Sequence, residues 1–567
     1  MNLNSLKTHP YFFLIIALIV LSLLRLALAM NTPIWIKMFP DDDLLMIRYA
    51  SLIEHFQVHD FNSLVKTMSY PVWLAFNRLF GIPYRISLCL VWIIAAGLTT
   101  YAFKHLYNNR FFLLFTYTFV LFCPAAFDFV VGTRVYRNAI IAPAVFISVA
   151  LMLICIIKAK ERAGKKQLFI WMIFSGLAFT FFYYIKEDSI WLLPLFSVSV
   201  LACIFYSMRR PNGTDKADIK HTTVSIVKKV CFCLTPFIVF ACLTGSYLAV
   251  NYHFFGVAEI NTRTEGEFGR FVSKVIKIED ENKNYQIWAP YSTWEKVWAA
   301  SPTLQEYPQM LEWMRYADEA YGDLVEYPPP GDLVFWTFRH ALVNHRLLES
   351  EKQMEDLLKQ VNKELDAAFE SGLLKRADKI YLSSMATGLT KEELPGLKPL
   401  LIEGIENNVF FKDYAPIHED LAQEGSFRWD EVDDNLNDNI YRQNIIGENR
   451  LQMIAGMNNA IFVIYRILSV LLVAAMVIAF ILSLVRLIRK RKEEDMFFFL
   501  GILLTVITAG VVILGISWFC YWIGEPEESM KYYAVGAVPI IGFAELLGIC
   551  YLSEHLPFRI AKSSVKR

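Results

Sequence analysis

The chain carries no net charge: 55 lysines and arginines are balanced by 55 aspartates and glutamates. A uniform attraction to nucleic acid or acidic lipid is thereby excluded, and only the local placement of charge is informative. Cysteine is missing from residues 252–458; Cys89, Cys123, Cys155, Cys203, Cys231, Cys233, Cys242, Cys520 and Cys550 all lie in or beside apolar runs. A polar region without cysteine folds on its apolar core and not on disulfides. Cys231 and Cys233 have neither a second pair nor a nearby histidine, which argues against zinc. Glycine-rich phosphate loops, internal repeats and low-complexity tracts are also missing.

Apolar residues dominate instead. Over 567 residues, 55% are hydrophobic and only 19% charged, with a mean hydropathy of +0.37, a balance that points to a polytopic α-helical membrane protein. Runs of about 17–25 apolar residues match a hydrocarbon core about 30 Å thick. Ten are predicted, near 11–30, 85–103, 111–130, 139–157, 168–185, 189–207, 230–250, 459–485, 496–520 and 533–552, with Pro124 interrupting the third. An Ala-x-Ala pattern at 27–29 offers a signal-peptide alternative for the first run, but its twenty residues and Arg25 favour a retained helix. "KAKERAGKK" at 158–166, Arg209 and Arg210, Lys228 and Lys229, "RLIRKRK" at 486–492 and the C-terminal "FRIAKSSVKR" then fall on one side. Cytoplasmic loops carry such excess, so both termini are expected in the cytoplasm, with an even number of spans in a bacterial plasma membrane.

Three regions follow: a bundle over 1–251 with its first outer loop at 31–84, a mainly helical extracytoplasmic domain at 252–458 between spans seven and eight, and a bundle over 459–567. The segment 350–372 is the clearest helix of the inserted domain. Ser350 and Gln353 form a capping box, Met354, Leu357, Leu358, Val361, Leu365 and Phe369 line one face, and Gly372 provides the stop. "DEVDDNLNDN" at 430–439 lacks the glycine and final glutamate of an EF-hand loop and is expected to be a solvated acidic loop.

Charge then gathers on the outer face from four loops. The first holds Asp41, Asp42 and Asp43 with Arg48, Glu54 and Lys66; "FDFVVGTRVYRNA" adds Asp128, Arg134 and Arg137; "YYIKEDSIW" adds Lys186, Glu187 and Asp188; "GEPEESMKYY" adds Glu525, Glu527, Glu528, Lys531, Tyr532 and Tyr533. Single charges at span ends are ordinarily interfacial anchors. Three adjacent anions gain nothing from anchoring and repel one another. Asp43 is placed to cap the helix that starts "LLMIRYA", which leaves Asp41 and Asp42 for chemistry.

The acidic pair directly after the first span, the "RYA" that follows, and "YPVWLAF" with Gly81-Ile82-Pro83 before the second span resemble the GT-C superfamily of integral membrane glycosyltransferases. "IKEDSIWLLP" at 185–194 and "KYYAVGAVP" at 531–539 are similar to later family segments, although Lys531 stands where arginine is commoner. The likeness covers the membrane portion and leaves 252–458 unexplained. It implies an inverting transfer of a sugar from a polyprenyl-phosphate donor to a glycan, lipid or protein acceptor, in cell-envelope glycan biosynthesis. Asp41 or Asp42 would be the general base. Arg134, Arg137, Lys186 and Lys531 would hold the donor phosphate, with Asp43, Glu187, Asp188 and Tyr532 in support. The resemblance fixes no cofactor; if a metal is used, Mg or Mn would be held by Asp41 and Asp42.

Three other classes stay open. A lipid-carrier flippase or transporter would place its ionisable residues at mid-membrane. A polysaccharide polymerase or ligase would use the paired arginines of "GTRVYR", and a non-catalytic scaffold would keep the frame without the chemistry.

Overall fold

The computed structural model describes residues 11–37, 42–209, 219–315, 328–417, 429–440 and 447–555. Their regular structure is helical, apart from three isolated bridges that include Trp35 with Arg134. Nine of the helices are long and apolar enough to cross a membrane: α1 (Phe12–Asn31), α2 (Tyr84–Lys104), α3 (Asn138–Lys160), α4 (Lys165–Tyr183), α5 (Ser189–Met208), α6 (Thr235–Phe255), α7 (Glu448–Lys490), α8 (Glu493–Cys520) and α9 (Ala537–His555). The chain is thus an integral membrane protein by the length and composition of its helices.

The third predicted span takes another form. Its helix, Arg110–Leu121, has 12 residues and covers about 18 Å, short of a bilayer core. Pro124 opens a 3-10 turn, Pro124–Ala126, and the chain from there to Asn138 is irregular and almost wholly buried. Such backbone survives at depth only where protein wraps it and its polar groups are satisfied. Here Phe127 N–H and Asp128 N–H donate to the Pro124 carbonyl, and Gly132 N–H donates to that of Asp128. Gly132 must be glycine, because a Cβ would sit 2.4 Å from the Ala125 carbonyl oxygen.

Contacts define two ends of the bundle. At one, Tyr11 donates to Asn108, His105 and Lys158 meet Glu161, Arg209 pairs with Glu493 and Tyr551 donates to Asp495. The lysine- and arginine-rich loops 158–166 and 486–492 adjoin this end. The other end carries Asp42, Asp43, Arg134 and Glu187. Inside the bundle Arg25 is buried, its guanidinium 4.3 Å above the Phe127 ring, so it faces protein and not lipid.

A second apolar core lies between α6 and α7 in sequence. Gly266–Lys277, Tyr291–Ala300, Leu333–Asn344 and Glu351–Glu370 bury Phe271, Trp288, Trp294, Phe338, Met354 and Leu358 together, and Trp518 of α8 joins them. The Ser350 hydroxyl accepts from Gln353 N–H at 3.2 Å. Gln353 Oε1 reaches past Ser350 to accept from Glu349 N–H at 2.9 Å, a capping box shifted by one residue. Arg339, fully buried, ties this core to the first loop: its Nε and Nη2 donate to the carbonyls of Phe61 and Ser63, and Nη2 meets Glu351 at 3.1 Å.

The last part of 252–458 packs elsewhere. Lys398–Phe410 and Trp429–Leu436 contribute Leu400, Val432 and Leu436 to the bundle's cluster. The acidic stretch is therefore not a solvated loop. Glu431 pairs with Arg48 at 3.0 Å, Asp438 accepts from Arg85 N–H at 3.2 Å with the guanidinium 3.7 Å away, and Asp433 accepts from Ile440 N–H. Cations more than 340 residues away in sequence (|i−j|=353 for Arg85 and Asp438) turned the run into a docked helix.

Ser371 is exposed at the far end of Glu351–Glu370 and Lys166 is exposed at the basic end of the bundle, whereas Ser63 is fully buried. If the basic end faces the cytoplasm, Ser371→Cys is expected to react with a membrane-impermeant maleimide in intact cells and Lys166→Cys only after permeabilisation. The reverse pattern would invert the orientation.

Candidate functional site at the aspartate end

The chain leaves α1 in extended form and is pinned at once: Trp35 N–H donates to the Thr133 carbonyl and Val135 N–H to that of Trp35. This pairing sets Arg134 opposite Asp43. Arg134 Nε and Nη2 donate to the two carboxylate oxygens at 2.8 and 2.5 Å, and Lys37 N–H donates to the same group. Asp43 is fully buried. Both donor edges of Arg134 facing Asp43 are used, and its guanidinium lies about 5.0 Å from the rings of Tyr136 and Tyr532. Arg134, expected to hold phosphate, is thus paired with Asp43, and Asp43 is an ion-pair partner instead of a simple helix cap.

Asp42 points the other way. Its Oδ2 accepts from Lys66 Nζ at 2.9 Å and from the Tyr136 hydroxyl at 3.2 Å, and its side chain keeps 32% exposure while Lys66 keeps 3%. The Tyr136 hydroxyl in turn accepts from Arg137 Nη2 at 2.9 Å, and Arg137 Nη1 holds both oxygens of Glu187 at 2.8 and 3.0 Å. Glu187 also accepts from Thr67 N–H, beside Lys66. Local structure sets these groups: Arg137 is the residue before α3, Glu187 lies in the tight turn between α4 and α5, and Lys66 lies just before the helix Ser69–Leu79 of the first loop.

The helical unit after α6 closes the cluster. Arg263 pairs with Asp332, and Trp336 lies 4.9 Å from Arg263 and 5.5 Å from Lys66. None of Arg263, Asp332 and Trp336 stands out in sequence, because pairs 69 residues apart meet only through the fold. Tyr136 was readable only as the residue between two arginines.

The remaining expected residues divide. Lys186 is buried, its ammonium 5.0 Å over the Tyr533 ring and 3.7 Å from Asp188, without a hydrogen-bond acceptor among the described residues. Asp188 is the more exposed partner, at 44%. Lys531 is committed to Asp128 at 3.1 Å and to the Asp413 carbonyl at 2.9 Å. Tyr532 is buried, and its carbonyl accepts from Asn138. Asp41 lies outside the described residues.

Burial alone would raise the carboxyls of Asp42 and Glu187. For Asp42 the pull of Lys66, then of Arg137 and Arg263, outweighs it and holds the group at about 2. Arg137, Lys66 and Arg263 do the same for Glu187, also to about 2. Both are carboxylates at neutral pH, set among cations. That arrangement does not fit a divalent metal, because the inward oxygen of Asp42 already faces an ammonium and a phenol, and Asp43 faces a guanidinium. Among the described residues no three His, Cys, Asp or Glu side chains converge.

Charge is not confined to the rim. Glu545 of α9 is 4% exposed, with Oε1 lacking a hydrogen-bond partner among the described residues. Comparison with known proteins adds no likeness: no family model, curated protein or solved structure matches the chain.

The depressed carboxyls give a pH signature. Asp and Glu ordinarily titrate near 3.9 and 4.3, so the stability these two contribute is fully present above about pH 5 and is lost as pH falls toward 2. Melting of the detergent-solubilised protein is expected to drop across that interval, and Glu187→Gln is expected to show a smaller acid-dependent drop. An unchanged slope would remove Glu187 as a source.

Proposed function

We propose that this protein is a membrane glycosyltransferase of the GT-C type, taking a sugar from a polyprenyl-phosphate donor at the aspartate end, on the outer face of a bacterial plasma membrane. The observation that carries the reading is Asp42: a partly exposed carboxylate set among the cations Lys66, Arg137 and Arg263, with the buried ammonium of Lys186 entering from the turn that also carries Glu187. Lys186 has only the loose, partly exposed Asp188 carboxylate at 3.7 Å, and an anionic ligand would give its ammonium a hydrogen-bonded partner. A phosphate needs several donors, and a glycosyl acceptor needs a nearby base; the cluster has both.

The step is a single displacement. An acceptor hydroxyl oxygen attacks the anomeric carbon, the bond from that carbon to the phosphate oxygen breaks, and the hydroxyl proton passes to Asp42. Configuration inverts. The leaving phosphate keeps the bonding electrons, and Lys186, Lys66, Arg137 and Arg263 stabilise them. A carboxylate near 2 is a weak base, but the donor phosphate would draw Lys66 toward itself and add negative charge beside Asp42. Both changes raise its basicity when the donor is bound. Arg134 and Lys531 hold the frame and not the phosphate.

Asp42→Asn is expected to reduce transfer by about 10²-fold or more, with melting near the parent. Lys186→Met is expected to raise donor KM in a transfer assay with an undecaprenyl-phosphate sugar. Asp43→Asn is expected to lower stability, since breaking a buried pair costs about 3–5 kcal/mol. Parental rates in both Asp42→Asn and Lys186→Met would overturn the assignment.

Translocation of the carrier lipid is the second reading, favoured by Glu545 and Arg25 within the spans. Glu545→Gln is expected to leave transfer intact; loss of carrier movement in that variant, with no transfer in the parent, would select translocation instead.

A further inference from the structure

Away from the aspartates, a shallow groove of about 440 Å³ runs along Gly266–Lys277. Arg270, Ser273, Lys274 and Lys277 recur at helical spacing on one face, so three cations extend over about 10 Å. Phe369 and Arg376 line the opposite wall, with the guanidinium 5.3 Å from the ring, and Ser384 adds a hydroxyl. A second hollow of about 400 Å³ shares Phe369 and Arg376 and adds Lys375, with Asp366 and Glu370 also in its lining.

Part of this charge is already matched. Arg270 reaches Glu267 at 2.9 Å but stays 70% exposed, and Lys274 reaches Asp366 at 2.8 Å. The Lys277 ammonium meets the Ser273 hydroxyl and the Tyr381 ring, and among the described residues none of Lys277, Lys375 and Arg376 has a carboxylate partner. The helix N-terminus plays no part, because Glu355 accepts from Glu267 N–H and Phe268 N–H there. The groove thus combines four cations, hydroxyls and one aromatic ring with a single carboxylate, Glu265, in an open trough. That set suits an extended chain bearing both anionic groups and sugar faces.

We infer that the groove seats an anionic saccharide chain. Thr264 lines the groove and follows Arg263, whose guanidinium faces the Asp42 cluster. A chain lying in the groove would therefore direct its end toward the candidate site, as an acceptor must. This direction rests on the transfer reading; the binding itself does not.

The test uses full-length protein in detergent and three probes of matched length: galacturonate oligosaccharides, phosphodiester-linked oligomannose and neutral maltooligosaccharides. Binding of either acidic probe, weakening with salt and absent for the neutral one, is expected, and the two acidic arms distinguish carboxylate from phosphate chains. Lys277→Glu with Arg376→Glu is expected to lower affinity at least about tenfold. Acylation of Lys277 and Lys375 in the unmutated protein, read by mass spectrometry, is expected to slow when the acidic probe is bound, which keeps the test sound if the variant misfolds. Equal binding of the neutral probe or of a short oligonucleotide, or no protection of these lysines, would overturn the inference. A protein that transfers sugar but ignores acidic saccharides would sink the groove alone. One that binds them without transfer would sink the catalytic reading alone.

Discussion

The buried pair between Asp43 and Arg134 organises the end of the bundle where the candidate site lies. It joins the segment leaving α1 to the irregular segment entering α3, and the Trp35 backbone pairing beside it holds both in register. Neither partner could be lost without leaving an uncompensated charge among buried aromatic rings. Because Arg134 is fixed, Tyr136 and Arg137, two and three residues on, are presented to Asp42 and Glu187 in turn. One ion pair thus positions the residues of the next.

Charges at this end fall into two groups by what they touch. Asp43 with Arg134 and Asp128 with Lys531 are closed pairs, with carboxylates fully buried and backbone N–H groups completing their shells. Asp42, Lys66, Arg137, Glu187 and Arg263 form an open cluster in which Asp42 reaches solvent. Closed pairs build a frame, and an open cluster can exchange partners with a ligand. Adjacent aspartates serve opposite purposes here because successive residues at the start of a helix point about 100° apart.

The helical unit between α6 and α7 is more than an appendage. Arg339 fastens it to the first loop, Trp518 and Trp522 of the α8 end pack against it, and Asp332 and Trp336 border the open cluster. Gly331 sits where a Cβ would lie 2.0 Å from the Trp522 ring, so the approach of this unit to the α8 end requires glycine. In the proposed reaction this contact would let acceptor binding on the unit reach the donor site directly.

Helical class, the apolar runs and the amphipathic helix 351–370 were legible in sequence because each depends on local composition and on a 3.6-residue period. The gathering of basic loops at one end was legible for the same reason. The third run was overestimated, since hydropathy does not register that Pro124 ends the helix and that buried loop can complete the path. The acidic stretch 429–440 was misread because its partners, Arg48 and Arg85, are hundreds of residues away. By itself the sequence determined which residues must leave water and which charges collect near span ends. Only the tertiary structure decided which charges cancel: it closed Arg134 and Lys531 onto buried carboxylates, brought in Arg263 and Trp336, and left Asp42 open. Ion pairing is a property of distance in space, and sequence separation does not encode it.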